Sequence, residues 1–397
     1  MTTVLRPGLP MPRQGQELAP EDSHQALLTP YLELDVTRAV GRYRRLAAAF
    51  PQAGVRYAVK ANPHPVLLRA LARARCGFDV ASPAELRAAF DAGARPEDLI
   101  HSNPVARRDH LAEAAALGVR LFVVDSPGEV RKLADVAPGS GVLCRLATPG
   151  AGSDWPLSRK FGCGNAEAVE VLLLARTLGL EPAGVSFHVG SQQRDPEAWG
   201  PPIRDAATVF KSLRRRGVIL RLLDLGGGFP ADHEEPEDGP GRAPAITTYG
   251  EVVARHLSEA FGSVQPRTLV EPGRGIVGDA GAVVSSVLAV VHRGGVRWVH
   301  LDAGVFSGLV ETLDEAIRYR LTSSADGPTG PCVLAGPTCD SADVLYQDRP
   351  VHLPLTLAEG DEVRLHSAGA YTSCYSTVGF NGFPPLRTVL ARRDIQR

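Results

Sequence analysis

Lys60 stands in Tyr57-Ala-Val-Lys-Ala-Asn-Pro63, at the end of an apolar run. A lysine there faces a pocket yet loses part of its hydration, and desolvation lowers an amine's pKa toward the neutral, imine-forming state. Gly226-Gly227-Gly228 follows Leu223-Asp224-Leu225, and Gly273-Arg274-Gly275 follows Glu271-Pro272. Runs of glycine let backbone N–H groups approach an oxyanion, and an arginine among them adds a bidentate donor. Taken singly, the lysine is better explained as a surface residue at a strand end, and either glycine run as turn geometry. Together, an amine and an oxyanion cradle suit pyridoxal 5'-phosphate, an electron sink whose power depends on a protonated ring nitrogen. Glu271 could keep that nitrogen protonated by charge pairing. His188 could stack on the ring, although alone it reads equally well as a core histidine. No GxxxxGK[ST] loop is present, and three consecutive glycines do not make a dinucleotide fingerprint.

These groups are far apart in sequence, so the fold must gather them. Short apolar runs at Val55–Ala61, Phe78–Ser82, Leu99–Asn103, Leu121–Ser126, Val142–Ala147, Gly184–Val189, Leu220–Gly227 and Thr268–Gly273 read as buried parallel strands. Stretches with helical spacing separate them, such as Pro83–Ala92, Asp109–Leu117 and Ala166–Leu178. Asp35 can cap a further helix, whose Val36, Ala39, Val40, Tyr43, Leu46 and Phe50 recur every three to four residues. Eight strands alternating with helices predict an α/β fold, a (β/α)8 barrel over residues 35–275. Lys60, Asp79, Arg145, His188, Gly227, Gly228, Glu271 and Arg274 then lie in or at the carboxyl ends of strands, the rim on which barrels place active sites. The rival fold, a doubly wound sheet, would scatter them along an open edge. From residue 276 to 397, segments such as Val283–His292, Val296–Leu301, Val351–Leu357 and Asp361–His366 predict an antiparallel β domain. Residues 1–34, Pro-rich at their start, predict an arm, residues 149–158 a mobile cover over the rim, and residues 231–244 an acidic surface loop.

The 397 residues carry 43 basic and 44 acidic side chains, which leaves no net field for nucleic acid or an anionic membrane. The longest uncharged, mainly apolar run, Ala282–Val291, falls short of the roughly 18 residues that span a bilayer. No secretory signal is visible, and the six cysteines are scattered without CxxC pairing. A cytoplasmic protein with reduced thiols and no metal site is the expectation. Two polar stretches of the second domain, Gly336-Pro-Thr-Cys339-Asp340-Ser-Ala-Asp343 and Ser367-Ala-Gly-Ala-Tyr371, read alone as ordinary turns.

YAVKAN, GFDVAS, FHVGSQ, LDLGGGFP, EPGRG, GPTCDSAD and GAYT followed by FNGF run in order from residue 57 to residue 383. On these motifs the chain resembles the fold-type III pyridoxal-phosphate amino-acid decarboxylases, which act on ornithine, lysine, arginine or diaminopimelate. The resemblance implies the alanine-racemase-like pairing of an N-terminal barrel with a C-terminal β domain completed by the chain's first residues. It also implies a head-to-tail homodimer with two shared active sites. Lys60 resembles the lysine bonded to the cofactor, His188 the ring-stacking histidine, and Glu271 the partner of the pyridine nitrogen. Ser191, Gly227, Gly228, Gly273 and Arg274 resemble the phosphate site, with Tyr371 adding a hydroxyl. Asp79 and Arg145 match polar positions beneath the cofactor. Cys339 resembles the residue donated by the other subunit that steers proton return to Cα, and Asp340 the acid that reads the distal amine of the substrate. A second such acid is expected among Glu311, Asp314 and Glu315, with Phe380 also on the substrate side.

The resemblance favours ornithine, then lysine, as substrate. Diaminopimelate enzymes usually carry Cys-Glu-Ser where this chain has Cys339-Asp340-Ser341. A racemase would place an arginine, not Glu271, at the ring nitrogen. A non-catalytic relative would be expected to have lost the lysine or the phosphate ligands.

Overall fold

The computed structural model describes residues 27–155, 160–233, 243–391 and 394. The start of the arm, the end of the 149–158 cover and most of the 231–244 loop lie outside them.

Eight parallel strands close into a barrel: Ala53–Ala58, Gly77–Val80, Leu99–His101, Leu121–Val124, Gly141–Arg145, Glu181–Ser186, Leu222–Asp224 and Arg267–Val270. Each is covered on both faces, by the barrel interior and by the outer helices, so it reads as a continuous apolar run. Closure is direct, since Leu269 on the last strand pairs with Gly54 on the first. Asp35 caps the helix Val36–Ala49 by accepting from the Arg38 amide at 2.8 Å, and that helix buries Val36, Ala39, Tyr43 and Leu46.

The second unit is a nine-stranded sheet around a separate core that includes Leu32, Val283, Val299, Leu334 and Leu365. Its spine is the 13-residue strand Gly281–Arg293, which pairs antiparallel with Tyr31–Leu34, Val296–Leu301 and Glu362–His366. The sheet is mixed, not purely antiparallel. Val296–Leu301 runs parallel to Thr329–Ala335, and Tyr31–Leu34 runs parallel to Arg387–Leu390. A parallel pair needs a long crossover, and residues 302–328 supply it, carrying Glu311, Asp314 and Glu315. Part of the predicted 149–158 cover is itself a strand: Ser153–Trp155 pairs with Ser191–Gln193.

The two units meet at the rim of the barrel. The Tyr371 amide donates to the Ala61 carbonyl at 2.8 Å, and Asn62 Nδ2 donates to the Gly369 carbonyl at 2.9 Å. No helix among the described residues is long and apolar enough to cross a membrane.

Candidate active site

Lys60 sits in a single 3-10 turn, Val59–Ala61, just past the first barrel strand. Asp79 is on the second strand, where it pairs with Ala58, so barrel pairing alone brings the two side chains together. Lys60 Nζ lies 2.8 Å from Asp79 Oδ2, whose side chain is 1% exposed. The Lys60 side chain is itself 46% exposed; the surrounding protein desolvates its charge in part, but Asp79 outweighs that, aided by Tyr371 and Glu271, and the amine's pKa is raised. This corrects the sequence expectation of a lowered pKa. Desolvation was legible from position, whereas the neighbouring carboxylate comes from a strand 19 residues away.

The cleft beside Lys60 is lined by Lys60, His188, Ser191, Gly227, Gly228, Glu271, Gly273, Arg274 and Tyr371, together with Ala58 and Phe229. The first nine were all expected from sequence. Gly228 has φ +108°, and a Cβ on it would fall 2.6 Å from the Gly190 carbonyl oxygen. A Cβ on Gly273 would fall 2.8 Å from that of Ala61 and 3.1 Å from the Tyr371 hydroxyl. Both positions need glycine for the backbone to close around the cleft.

Arg274 donates from Nε to Ser191 Oγ at 3.2 Å and from Nη2 to both carboxylate oxygens of Glu311 at 2.6 and 2.8 Å. Its guanidinium carbon lies 4.9 Å from the centroid of the Tyr371 ring. Nη1 is buried without a partner among the described residues. A buried donor left unmade costs about 1–3 kcal/mol, more when charged, so this group suits an anionic oxygen.

Charge in the cleft wall is finely divided. Desolvation, then Asp224 and Asp79, push the Glu271 carboxyl well above the usual carboxylate range. Ser102 donates to Glu271 Oε1, and Lys60 lowers the pKa in part. Burial pushes Asp224 up to about 6, although the Gly226 amide donates to its Oδ1 at 2.9 Å. His188 is driven down to about 3 by burial, then by Arg145 and Lys60. It is therefore neutral, and its Nδ1 accepts from the Gly190 amide at 3.0 Å. Arg145, at the end of the fifth strand, lies over the Phe161 ring, and burial lowers its pKa. Ser102 and Asp224 were not singled out from sequence, although Asp224 stands inside the LDLGGGFP motif.

The residues expected on the substrate side are placed elsewhere in the chain. Cys339 and Asp340 are exposed and do not line the Lys60 cleft. The Cys339 amide donates to Asn381 Oδ1 at 3.0 Å, and Asp340 lines a separate cleft with Trp298, His300 and Thr338. Phe380 is 36% exposed, its ring 4.6 Å from that of Phe306. Glu315 accepts from Arg318, from Arg349 and from the amides of Asp348 and Arg349 at 2.8–3.0 Å, a purely internal set of partners. Asp314 is exposed at φ +54°. Of the three acids, Glu311 is the one joined to the cleft, through Arg274.

An amine beside a carboxylate, an oxyanion cradle with a free guanidinium edge, and a second carboxyl, Glu271, in the cleft wall together fit a phosphorylated pyridine aldehyde. Comparison with known proteins gives the same answer. Residues 36–278 match the family model of the pyridoxal-dependent decarboxylase pyridoxal-binding domain. A lysine/ornithine decarboxylase of Selenomonas ruminantium is 34% identical over 91% of this chain and 89% of its own length. A diaminopimelate decarboxylase of Helicobacter pylori is 30% identical over 92% of this chain and 91% of its own. The crystal structure of a lysine/ornithine decarboxylase complexed with putrescine from Vibrio vulnificus superposes with a TM-score of 0.81 at 32% identity, covering 92% of this chain and 94% of that one. Site geometry and whole-chain similarity agree: the chain belongs to the fold-type III, pyridoxal-phosphate-dependent decarboxylases of basic amino acids.

Proposed function

We propose that the protein decarboxylates L-ornithine, and L-lysine second, to putrescine and cadaverine, as a homodimer in which each cleft is completed by a second copy. The observation that carries the reading is Lys60 paired with buried Asp79 at the mouth of a cleft holding Arg274 and Glu271. Lys60 would bond the cofactor through its amine, which Asp79 holds in place at 2.8 Å. Arg274 Nη1, Ser191 and the amides around Gly227, Gly228 and Gly273 would hold the phosphate. Tyr371 closes that side. Glu271 would pair with the ring nitrogen and favour its protonated form, and neutral His188 would pack on the ring without adding a competing positive charge. Pyridoxal phosphate, when bound, supplies the sink for the electron pair left as the carboxylate departs.

Cys339 and Asp340 are exposed on the β domain, as residues serving a neighbour's cleft would be. There, Cys339 delivers a proton to Cα and Asp340 accepts from the distal ammonium, a charge-assisted bond of about 1.5–3 kcal/mol. Similarity to lysine/ornithine decarboxylases over nine-tenths of the chain supports this substrate class. The test is to incubate the holoenzyme with ornithine, lysine, arginine and diaminopimelate and identify the amine by mass spectrometry. Putrescine should form fastest and cadaverine next. Lysine formed from diaminopimelate alone, or no product from any of the four, would overturn the assignment.

A further inference from the structure

Arg274 opens the short helix after the eighth barrel strand, whereas Glu311 lies on the β-domain crossover. Both side chains are at most 3% exposed. Glu311 takes Nη2 with both of its oxygens, Ser191 takes Nε, and the Tyr371 ring covers one face of the guanidinium. A guanidinium is a rigid planar fork, so fixing two of its edges fixes the third. That third edge, Nη1, is the buried donor without a partner.

The crossover is pinned at a second point. The Glu315 carboxylate is held by Arg318, Arg349 and two amides of the β domain. Between these anchors the backbone leaves helical geometry at Leu313 and Asp314. One end of this acid-bearing stretch is thus fastened to its own domain, and the other to an arginine of the barrel.

We propose that Glu311 is a positioning residue that couples the phosphate site to the substrate side of the cleft. Its carboxylate orients Arg274 toward the cofactor phosphate and, through the same two bonds, seats residues 310–315 against the barrel. The inference rests on Arg274 as a phosphate ligand. It assigns to Glu311 a role distinct from contact with the substrate amine. Removing one member of a buried ion pair leaves the other charge uncompensated, so without Glu311 the arginine is no longer held with Nη1 free for the phosphate.

The test compares wild type with Glu311→Gln and Glu311→Asp. Pyridoxal phosphate and pyridoxal, which lacks the phosphate, are titrated into each protein and followed by the absorbance of lysine-bound cofactor. Amine release by the holoenzyme is then measured. For E311Q, the Kd for pyridoxal phosphate should rise about tenfold or more, while that for pyridoxal changes by less than about twofold. KM should rise more than kcat falls. E311D keeps the charge on a shorter arm and should show the same phosphate-dependent loss at about threefold, which provides a reading if E311Q does not fold. Equal losses for the two cofactors would make Glu311 a general structural residue and overturn the proposal. An unchanged or lower Kd for pyridoxal phosphate would also overturn it, by showing that Glu311 competes with the phosphate. The cofactor titrations stand even if none of the basic amino acids proves to be a substrate, so failure of one reading is separable from failure of the other.

Discussion

The barrel cleft and the Cys339–Asp340 face of the β domain are built in opposite ways. In the cleft, the buried Asp79, Asp224 and Arg274 gather around Lys60 and Glu271 at the ends of strands one, two, seven and eight, and several of these groups are driven far from their ordinary pKa values. On the β-domain face, Cys339, Asp340 and Phe380 are exposed. Perturbed groups gathered in one cleft mark a functional site. Exposed groups with the right chemistry mark half of a site. Cofactor binding should then be a property of one chain, and turnover a property of two.

The sharpest way to break this contrast is at Lys60. Lys60→Ala should lower amine formation by at least about a thousandfold while circular dichroism stays native. Mixing it with Asp340→Ala should restore roughly a quarter of wild-type activity, because half of a random mixture is heterodimer with one intact cleft. No recovery on mixing would contradict the two-chain reading.

Glu271→Gln comes next. It keeps the shape but cannot exchange a proton with a ring nitrogen, and should lower kcat by about a hundredfold with the protein still loaded. A loss confined to cofactor affinity would mean that Glu271 only packs there. Asp340→Asn should raise KM for ornithine by about tenfold or more and leave the Kd for pyridoxal phosphate unchanged. A shift in that Kd would place Asp340 in the cofactor half of the site.

The smallest effect concerns His233, at the barrel–β-domain junction, where its Nε2 lies 3.1 Å from the Ser367 carbonyl oxygen. Burial, then Arg274, holds its pKa at about 3, against about 6.5 when unfolded. Between these values the unfolded chain binds more protons, so stability is intact above about pH 6.5 and falls as the pH drops, by up to about 1.4 kcal/mol per unit. His233→Gln should flatten that slope in urea titrations. An identical slope in the variant would show that the histidine titrates normally.

The barrel was legible because each strand is covered on both faces and must be apolar, while the intervening helices keep their own period. Lys60, Glu271 and Arg274 were legible because charge at the end of an apolar run is conspicuous. The protonated state of Lys60 was not, since Asp79 reaches it only through strand pairing. Ser102 carries no charge and stands at the end of a three-residue strand, leaving its bond to Glu271 without a local signal. Among the three acids, helical-face reasoning does not apply. Residues 310–315 form broken 3-10 turns, which send Glu311 inward, Asp314 out and Glu315 to its own domain. The strand at Ser153–Trp155 was hidden by a Gly- and Pro-rich stretch that reads as a loop.

The chain has only four lysines, Lys60, Lys132, Lys160 and Lys211, which makes one measurement decisive. Protein loaded with pyridoxal phosphate is reduced with borohydride, digested and mapped by mass spectrometry. The account predicts a single pyridoxyl group, on the peptide containing Lys60. Its recovery on any of the other three, or on none, would contradict the account.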